Sequence, residues 1–388
     1  MAKIRRVVLL IVTSREYDRA LLRGIARYSR LHGPWTFFRE PLFYTKPGTG
    51  KTLLSRLKLQ EVDGIIMREP MKHDQIISLG LPTVVSPYTK DRIPGPPNVV
   101  SDHAAMAEMA AEHLLDRGFQ NFAYCGFDDM YFSEARGQFF QKRIEKAGLN
   151  VHFYKRPGTK AQRLWENEQI IMAEWLKSLP KPVGLMTCND DRSQHVIEAC
   201  TIAGLHVPED VAIIGIDNDE MICELSNPPL SSLALNAEKA GYEAAAVLDQ
   251  LMAGKKRVNR TITVSPTHVV ARQSTDILAM NDRDVASAVR FIRQHAKEPI
   301  QVNNVVEAAA VSRRGLENRF RKILGRSVHD EIKHVRTQLI ARMLLETNQS
   351  VSQIALALGF SGVENIARYF RQQSGMSLIA YRKKYAHK

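Results

Sequence analysis

Short apolar runs alternate with longer amphipathic stretches over the first 275 residues. Arg6–Val12, Gly64–Met67, Pro82–Val85, Phe122–Cys125, Val183–Met186 and Val211–Ile216 read as buried strands. Between them, Asp18–Leu31, Ala104–Arg117, Glu134–Ala147, Arg192–Ala203 and Glu238–Met252 read as helices. Strand–helix alternation predicts parallel sheets covered on both faces. The polar stretch Ser274–Arg283 holds no sustained apolar period and reads as a linker. Asp284 then opens a helix with Val285, Ala288, Val289 and Ile292 on one face.

Past that point the pattern is helical only, and it is written twice. Val302, Val305, Val306 and Ala309 fall at i, i+3, i+4 and i+7, which makes one apolar helix face. After a short break Ser312 can cap a second helix, whose buried stripe is Leu316, Phe320, Ile323 and Leu324. The scheme returns at Val351, Ile354, Ala355 and Leu358, followed by Ile366 and Phe370. Ser350 with Gln353, and Ser361 with Glu364, fit capping boxes. Gly359 stands where a left-handed helix terminus is wanted. Two helix-turn-helix units in tandem predict a module that reaches two neighbouring major grooves.

Charge supports a polyanionic partner. Residues 283–388 hold 19 basic and 8 acidic side chains, a net +11 out of +13 for the whole chain. An excess confined to one module is the footprint expected for double-stranded DNA. On the first recognition helix Arg313, Arg314, Glu317 and Asn318 lie opposite the apolar stripe. On the second, Gly362, Val363, Glu364, Asn365 and Arg368 occupy the exposed first turns. These nine are the candidate DNA contacts, with Glu364 also a candidate cap.

Other chemistry is sparse. Cys125, Cys188, Cys200 and Cys223 form no C-x-x-C pair, and the histidines show no metal-ligand spacing, so no metal or cofactor is expected. The basic Lys3–Arg6 before Val7–Val12 has too short an apolar run for a signal peptide, and no membrane span is visible, so a cytoplasmic location is expected. Pro47-Gly48-Thr49-Gly50-Lys51-Thr52 looks like the end of a P-loop, but Thr45 stands where the full pattern needs Gly. A nucleotide-hydrolysing enzyme with a DNA-binding tail is the alternative reading. A plain loop before a helix at Leu53–Leu57 is the simpler one.

The C-terminal segment, about 283–385, resembles the AraC-type DNA-binding domain. The resemblance rests on Ile354-Ala355, Gly359-Phe360-Ser361, Phe370-Arg371, Gly375-Met376-Ser377 and Tyr381-Arg382. Ile366 replaces the family's usual aromatic and Leu378 its usual Pro. About 6–275 resembles the sugar-binding domain of LacI-type repressors. That match is carried by Val100–His103, Glu112–Gly118, Ser133–Phe140, Asn189-Asp190, Val207–Asn218, Pro228–Ser232 and Arg272–Thr275. The repressors' usual N-terminal helix-turn-helix is not found before the first strand.

A LacI-type sensor before an AraC-type reader resembles the xylose-operon activator family. The resemblance implies an α/β two-lobed type I periplasmic-binding fold over 1–275, followed by an all-α domain with two helix-turn-helix units over 284–388. Lobe one is expected over about 6–126 plus 234–254, lobe two over 127–233 plus 260–275, and the linker over 276–283. It implies a non-enzymatic, sugar-responsive activator of a pentose operon, a homodimer whose partners are promoter DNA, the sugar and RNA polymerase. By resemblance Arg136, Asn189 and Asp217 hold sugar hydroxyls. Tyr17, Asp18 and Asp102 are further candidates near strand ends. The simpler roles are a helix-end salt bridge for Arg136 and helix caps for Asp190 and Asp217.

Overall fold

The computed structural model describes residues 4–385 apart from 40–60, 70–72, 129, 159–163, 256, 257, 259, 278, 280 and 281. The P-loop-like Pro47–Thr52 and the helix expected at Leu53–Leu57 lie outside the described residues.

Among the described residues, the sensor is two six-stranded sheets flanked by helices. The first contains β1 (Arg5–Leu10), β2 (Trp35–Arg39), β3 (Gly64–Arg68), β4 (Thr83–Ser86) and β5 (Asn98–Ser101), with β11 (Thr261–Val264) at its edge. The second contains β6 (Asn121–Cys125), β7 (Val151–Phe153), β8 (Val183–Thr187), β9 (Val211–Ile216) and β10 (Ser231–Leu235), with β12 (Pro266–Val270) at its edge. Among the described residues all strand pairs are parallel except β10 with β12. The run Val211–Ile216 is apolar throughout because β9 is buried on both faces.

Helices α1 (Glu16–His32) and α2 (His73–Ile77) belong to lobe one. α3 (His103–Leu115), α4 (Tyr131–Lys146), α5 (Trp165–Ser178), α6 (Asp190–Ala203) and α7 (Glu220–Leu225) follow, then α8 (Ala237–Met252). α1 and α8 pack backbone to backbone. A Cβ on Gly241 would lie 2.1 Å from the Leu21 carbonyl oxygen, so only glycine fits a position where its helix propensity is poor.

The lobe boundary differs from the sequence expectation. β6, expected in lobe one, pairs with β7 and β8 in the second sheet, and β11, expected in lobe two, pairs with β5 in the first. The chain changes lobe at Asp102, Asn236 and Ser265, and these three points are bonded together. Asp102 N–H donates to Val264 O at 2.8 Å. Asn236 N–H donates to Ser265 O at 3.1 Å, and Ser265 N–H to Asn236 Oδ1 at 2.8 Å. This is a hinge of three short crossings.

The 3₁₀ turn Gln273–Thr275 closes the sensor, its Ser274 hydroxyl donating to Ile213 O at 2.6 Å. The reader follows as α9 (Arg283–Gln294), α10 (Val302–Ala309), α11 (Arg313–Leu324), α12 (Val328–Glu346), α13 (Val351–Ala357), α14 (Val363–Ser374) and α15 (Leu378–Tyr385). Asp282 caps α9 by accepting from the amides of Asp284 and Val285.

Candidate functional site: an interlobe cleft and a helix-turn-helix surface

The cleft between the lobes gathers side chains from strand ends on both sides. Tyr17, Arg136, Asn189 and Asp217 line it together, with Arg15, Arg68 and His103 among their neighbours. Asp217 follows β9 with φ at +114°, a conformation that non-glycine residues adopt only when their surroundings impose it. Its Oδ1 is buried without a hydrogen-bond partner. Burial pushes its carboxyl up to about 6, against the pull of Arg136, Arg68 and Arg15. It does not cap α7, whose first turn is preceded by Asp219.

Arg136 is buried on the first turns of α4, over the Phe132 ring at 5.3 Å. It donates to the Cys188 carbonyl oxygen rather than to an acid, and its Nε is left without a partner. Asn189 caps α6, accepting from Arg192 N–H at 3.1 Å and donating to Asp191 at 3.0 Å. Asp190 is not that cap. Its two oxygens take the Ser232 hydroxyl at 2.5 Å and the Asp219 amide at 2.7 Å, which ties β10 to the loop after β9.

Lobe one contributes a residue with no signature in sequence. Arg68 ends β3, lies 4.6 Å over the Tyr17 ring and pairs with the buried Asp18 at 3.2 Å. Asp18 therefore stands behind the cleft and positions Arg68 rather than lining the cleft itself. Burial, countered by Arg68, raises its carboxyl above the ordinary range. Asp102 is placed elsewhere: its carboxylate caps α3 from the Ala105 amide at 3.0 Å, and it borders a different groove. His103, one residue on, faces the cleft edge-on to Tyr131 at 5.8 Å. Burial and then Arg136 pull its imidazole down to about 3, so it is neutral at neutral pH.

Salt links hold the lobes together. Arg15 meets Asp191 at 2.8 Å, while the Glu16 amide and Arg19 both donate to Asp219, at 3.0 and 2.6 Å. The enclosed space left between the lobes is ≈ 30 Å³, roughly room for one or two waters.

In the reader, two compact cores share one helix. Leu316 and Phe320 of α11 pack with α9 and α10, and Ile366 and Phe370 of α14 pack with α13 and α15. Val335 of α12 packs on both cores. Arg336, the next residue, donates to Glu298 O and to Leu358 O, joining the two units. The Ser312 cap and the Ser350–Gln353 box form as the sequence predicts. The Ser361–Glu364 box does not. Gly362 precedes α14 instead, and Ser361 accepts from the Asn365 side chain at 2.7 Å.

Arg313, Arg314 and Asn318 are exposed on α11, as are Val363, Glu364, Asn365 and Arg368 on α14. Glu317 and Gly362 are half-buried. Glu317 accepts from the Val328 amide at 3.4 Å, at the start of α12. The turn of the first unit uses Ala310 at φ +53°, where the second uses Gly359 at +68°.

Comparison with known proteins agrees with both halves. A family of periplasmic binding protein-like domains matches residues 111–275, and a family of helix-turn-helix domains matches 305–384. The xylose operon regulatory protein of Haemophilus influenzae is 29% identical over 386 residues, covering 97% of this chain and 98% of the relative. That of Escherichia coli K12 is 27% identical over 384 residues, 98% and 97% covered. The solved structure of the xylose-binding transcription activator xylR superposes with a TM-score of 0.61 at 26% identity, each chain fully covered. A LacI-type regulator from Alkaliphilus metalliredigens complexed with D-xylulofuranose shares the sensor fold alone, at TM-score 0.56 and 20% identity over 70% of this chain and 99% of that one. Among the described residues no helix is long and apolar enough to cross a membrane. Over its whole length the chain is thus similar to the xylose operon regulatory proteins, with a region matching periplasmic binding protein-like domains followed by a C-terminal region matching helix-turn-helix domains.

Proposed function

We propose that this chain is a sugar-responsive transcriptional regulator that activates a pentose catabolic operon, with a xylose-like pentose as effector. The observation that carries the proposal is the union, in one chain, of a closing polar cleft with two helix-turn-helix units on a basic module. Arg136 Nε and Asp217 Oδ1 have hydrogen-bonding capacity left over, which suits the hydroxyls of a sugar. Tyr17 and Phe132 supply apolar surface for its ring. Arg314 and Asn318 reach base edges and Arg313 a phosphate, while α14 presents Asn365 and Arg368 to the next groove. The regulator acts as a homodimer and engages RNA polymerase. Asp217, the acid that could imitate the metal-holding acid of a P-loop site, lines the cleft instead, which leaves the nucleotide-hydrolysis reading without support.

A thermal-shift screen over pentoses, hexoses and ATP tests the effector. A true ligand at 100 times its Kd adds ~2.7 kcal/mol of apparent stability. Stabilisation by ATP alone, or by no sugar, overturns the proposal.

A further inference from the structure

α3 runs from the effector cleft to the reader. Its cap, Asp102, is one of the three hinge crossings, and its first residue, His103, faces the cleft. Met106, Ala107, Ala110, Ala111 and Leu114 along its length are fully buried. With 13 residues it is a rod of about 20 Å, too well packed to bend without breaking its contacts.

The far end is where the reader is held. Asp116, just past the last turn, is 5% exposed and receives three side chains from the reader. Arg326 donates at 2.7 Å, His334 Nε2 lies at 2.5 Å and Gln338 donates at 3.4 Å. Arg293 donates to the Asp116 carbonyl oxygen at 3.0 Å. The cations also meet the negative end of the α3 dipole. Arg326 is tied in turn to the buried Glu331 at 2.5 Å. Since Arg326, His334 and Gln338 sit on or beside α12, the clasp grips the helix that both recognition units share.

A second anchor lies on the other lobe. Lys239 of α8 donates to the Lys383 and Lys384 carbonyl oxygens at 3.3 and 3.0 Å. Between the anchors the two domains are separated by a groove of ≈ 800 Å³. The reader is therefore fixed at points on both lobes, astride the hinge. A rotation of one lobe against the other changes the separation of those points.

We propose that α3 is the transmission element of this regulator: lobe rotation at the cleft is delivered through the Asp116 clasp to α12, and so resets how the two recognition helices are presented to DNA. The proposal rests on the effector reading above. It requires no conformational change within α3 itself, only a coupling free energy between cleft and reader that the clasp carries.

The test uses the full chain, Asp116→Asn and Arg326→Ala. Asp116→Asn keeps the shape and removes the charge that holds the three donors. In one arm, operator-DNA affinity is measured with and without saturating D-xylose, alongside calorimetry of D-xylose binding. Sugar should change wild-type DNA affinity by about 5- to 150-fold, the usual range of allosteric coupling. In both variants that ratio should fall to about 1 while each still binds sugar and DNA. Variants that keep the wild-type ratio overturn the proposal. The second arm needs no sugar. Hydrogen exchange of the amides at 102–106, at the cleft end, should change when the clasp at the other end is cut. Unchanged exchange there also overturns it. A wild-type protein that ignores D-xylose would refute the choice of effector, and the exchange arm would still decide the role of α3.

Discussion

Asp217→Asn should make the sugar-free protein more stable and its sugar response weaker. The carboxylate is buried at a left-handed backbone position with one oxygen unpaired, and burial holds its pKa at about 6 rather than 3.8. That gap corresponds to about 3 kcal/mol against folding once the group is ionised, at 1.36 kcal/mol per tenfold change in acidity. Although Oδ1 is buried, the residue as a whole is partly exposed, and solvent screening reduces the realised figure to about 1–2 kcal/mol. The sign follows from a folded pKa above the unfolded one. The native state binds the proton more tightly, so stability falls as pH rises from about 3.8 through about 6. Asparagine keeps an acceptor and removes the charge. By differential scanning calorimetry without sugar, the variant should melt ~2–8 °C above wild type at pH 7.5, with about half that gain at pH 5. Its sugar affinity should drop about 5- to 150-fold, the cost of losing a charged acceptor. A variant equally stable at pH 7.5, or a gain that does not shrink at pH 5, would show that the charge is not held at a cost. The site would then lose its clearest mark of function.

Three further outcomes are expected. Ala310→Gly relieves a left-handed alanine at the first helix-turn-helix turn and should raise reader stability by ~1 kcal/mol in urea melts; a loss would mean that the methyl packs usefully. Arg314→Ala should weaken operator binding by ~1–3 kcal/mol and relax preference at one base pair, as read by binding to a panel of single-base operator variants; an equal loss on every sequence makes it a phosphate contact. At the clasp, burial alone would lower the His334 pKa, but the hydrogen bond and charge of Asp116 raise it above the ordinary 6.5. The stabilisation from His334 is thus complete below about 6.5 and lost as pH rises through the raised value. His334→Gln should cost more stability at pH 6 than at pH 9, and an equal cost at both would remove the charged pair from the account.

What could be seen in the sequence was mostly local. Apolar periods, the Ser312 cap and the Ser350–Gln353 box lie within a turn or two of chain, so the helix pair of each unit was legible, whereas the long shared helix α12 was not read from the sequence. The Ser361–Glu364 box failed because two nearby partners compete, and Asn365 takes the serine. In the sensor, long apolar strands such as Val211–Ile216 were visible, whereas short or edge strands such as β2, β7, β11 and β12 were not. The hinge crossings carry no local mark, which is why β6 and β11 were expected in the wrong lobes. Arg68 illustrates the same limit at the cleft. It ends an ordinary apolar strand, and its placement depends on Asp18 and Tyr17, fifty residues earlier, which only sheet pairing brings beside it. Asp217 could be named from family resemblance, but its strained backbone and unpaired oxygen belong to the folded chain alone.

The single helix shared by the two recognition units has a consequence for the promoter. α12 has 19 residues and so measures about 28 Å, and Arg336 locks the units on either side of it. It works as a ruler of fixed length and fixed phase. Two sub-sites on DNA satisfy it only when they face the same way and lie about one helical turn apart. Inserting five base pairs between them turns one sub-site to the opposite face. Inserting ten restores the face but moves it by about 34 Å, which a packed helix cannot stretch to cover. A flexible tether would forgive the second insertion. Here both should abolish simultaneous binding, so the spacing within each half-site is as much a part of the message as its bases.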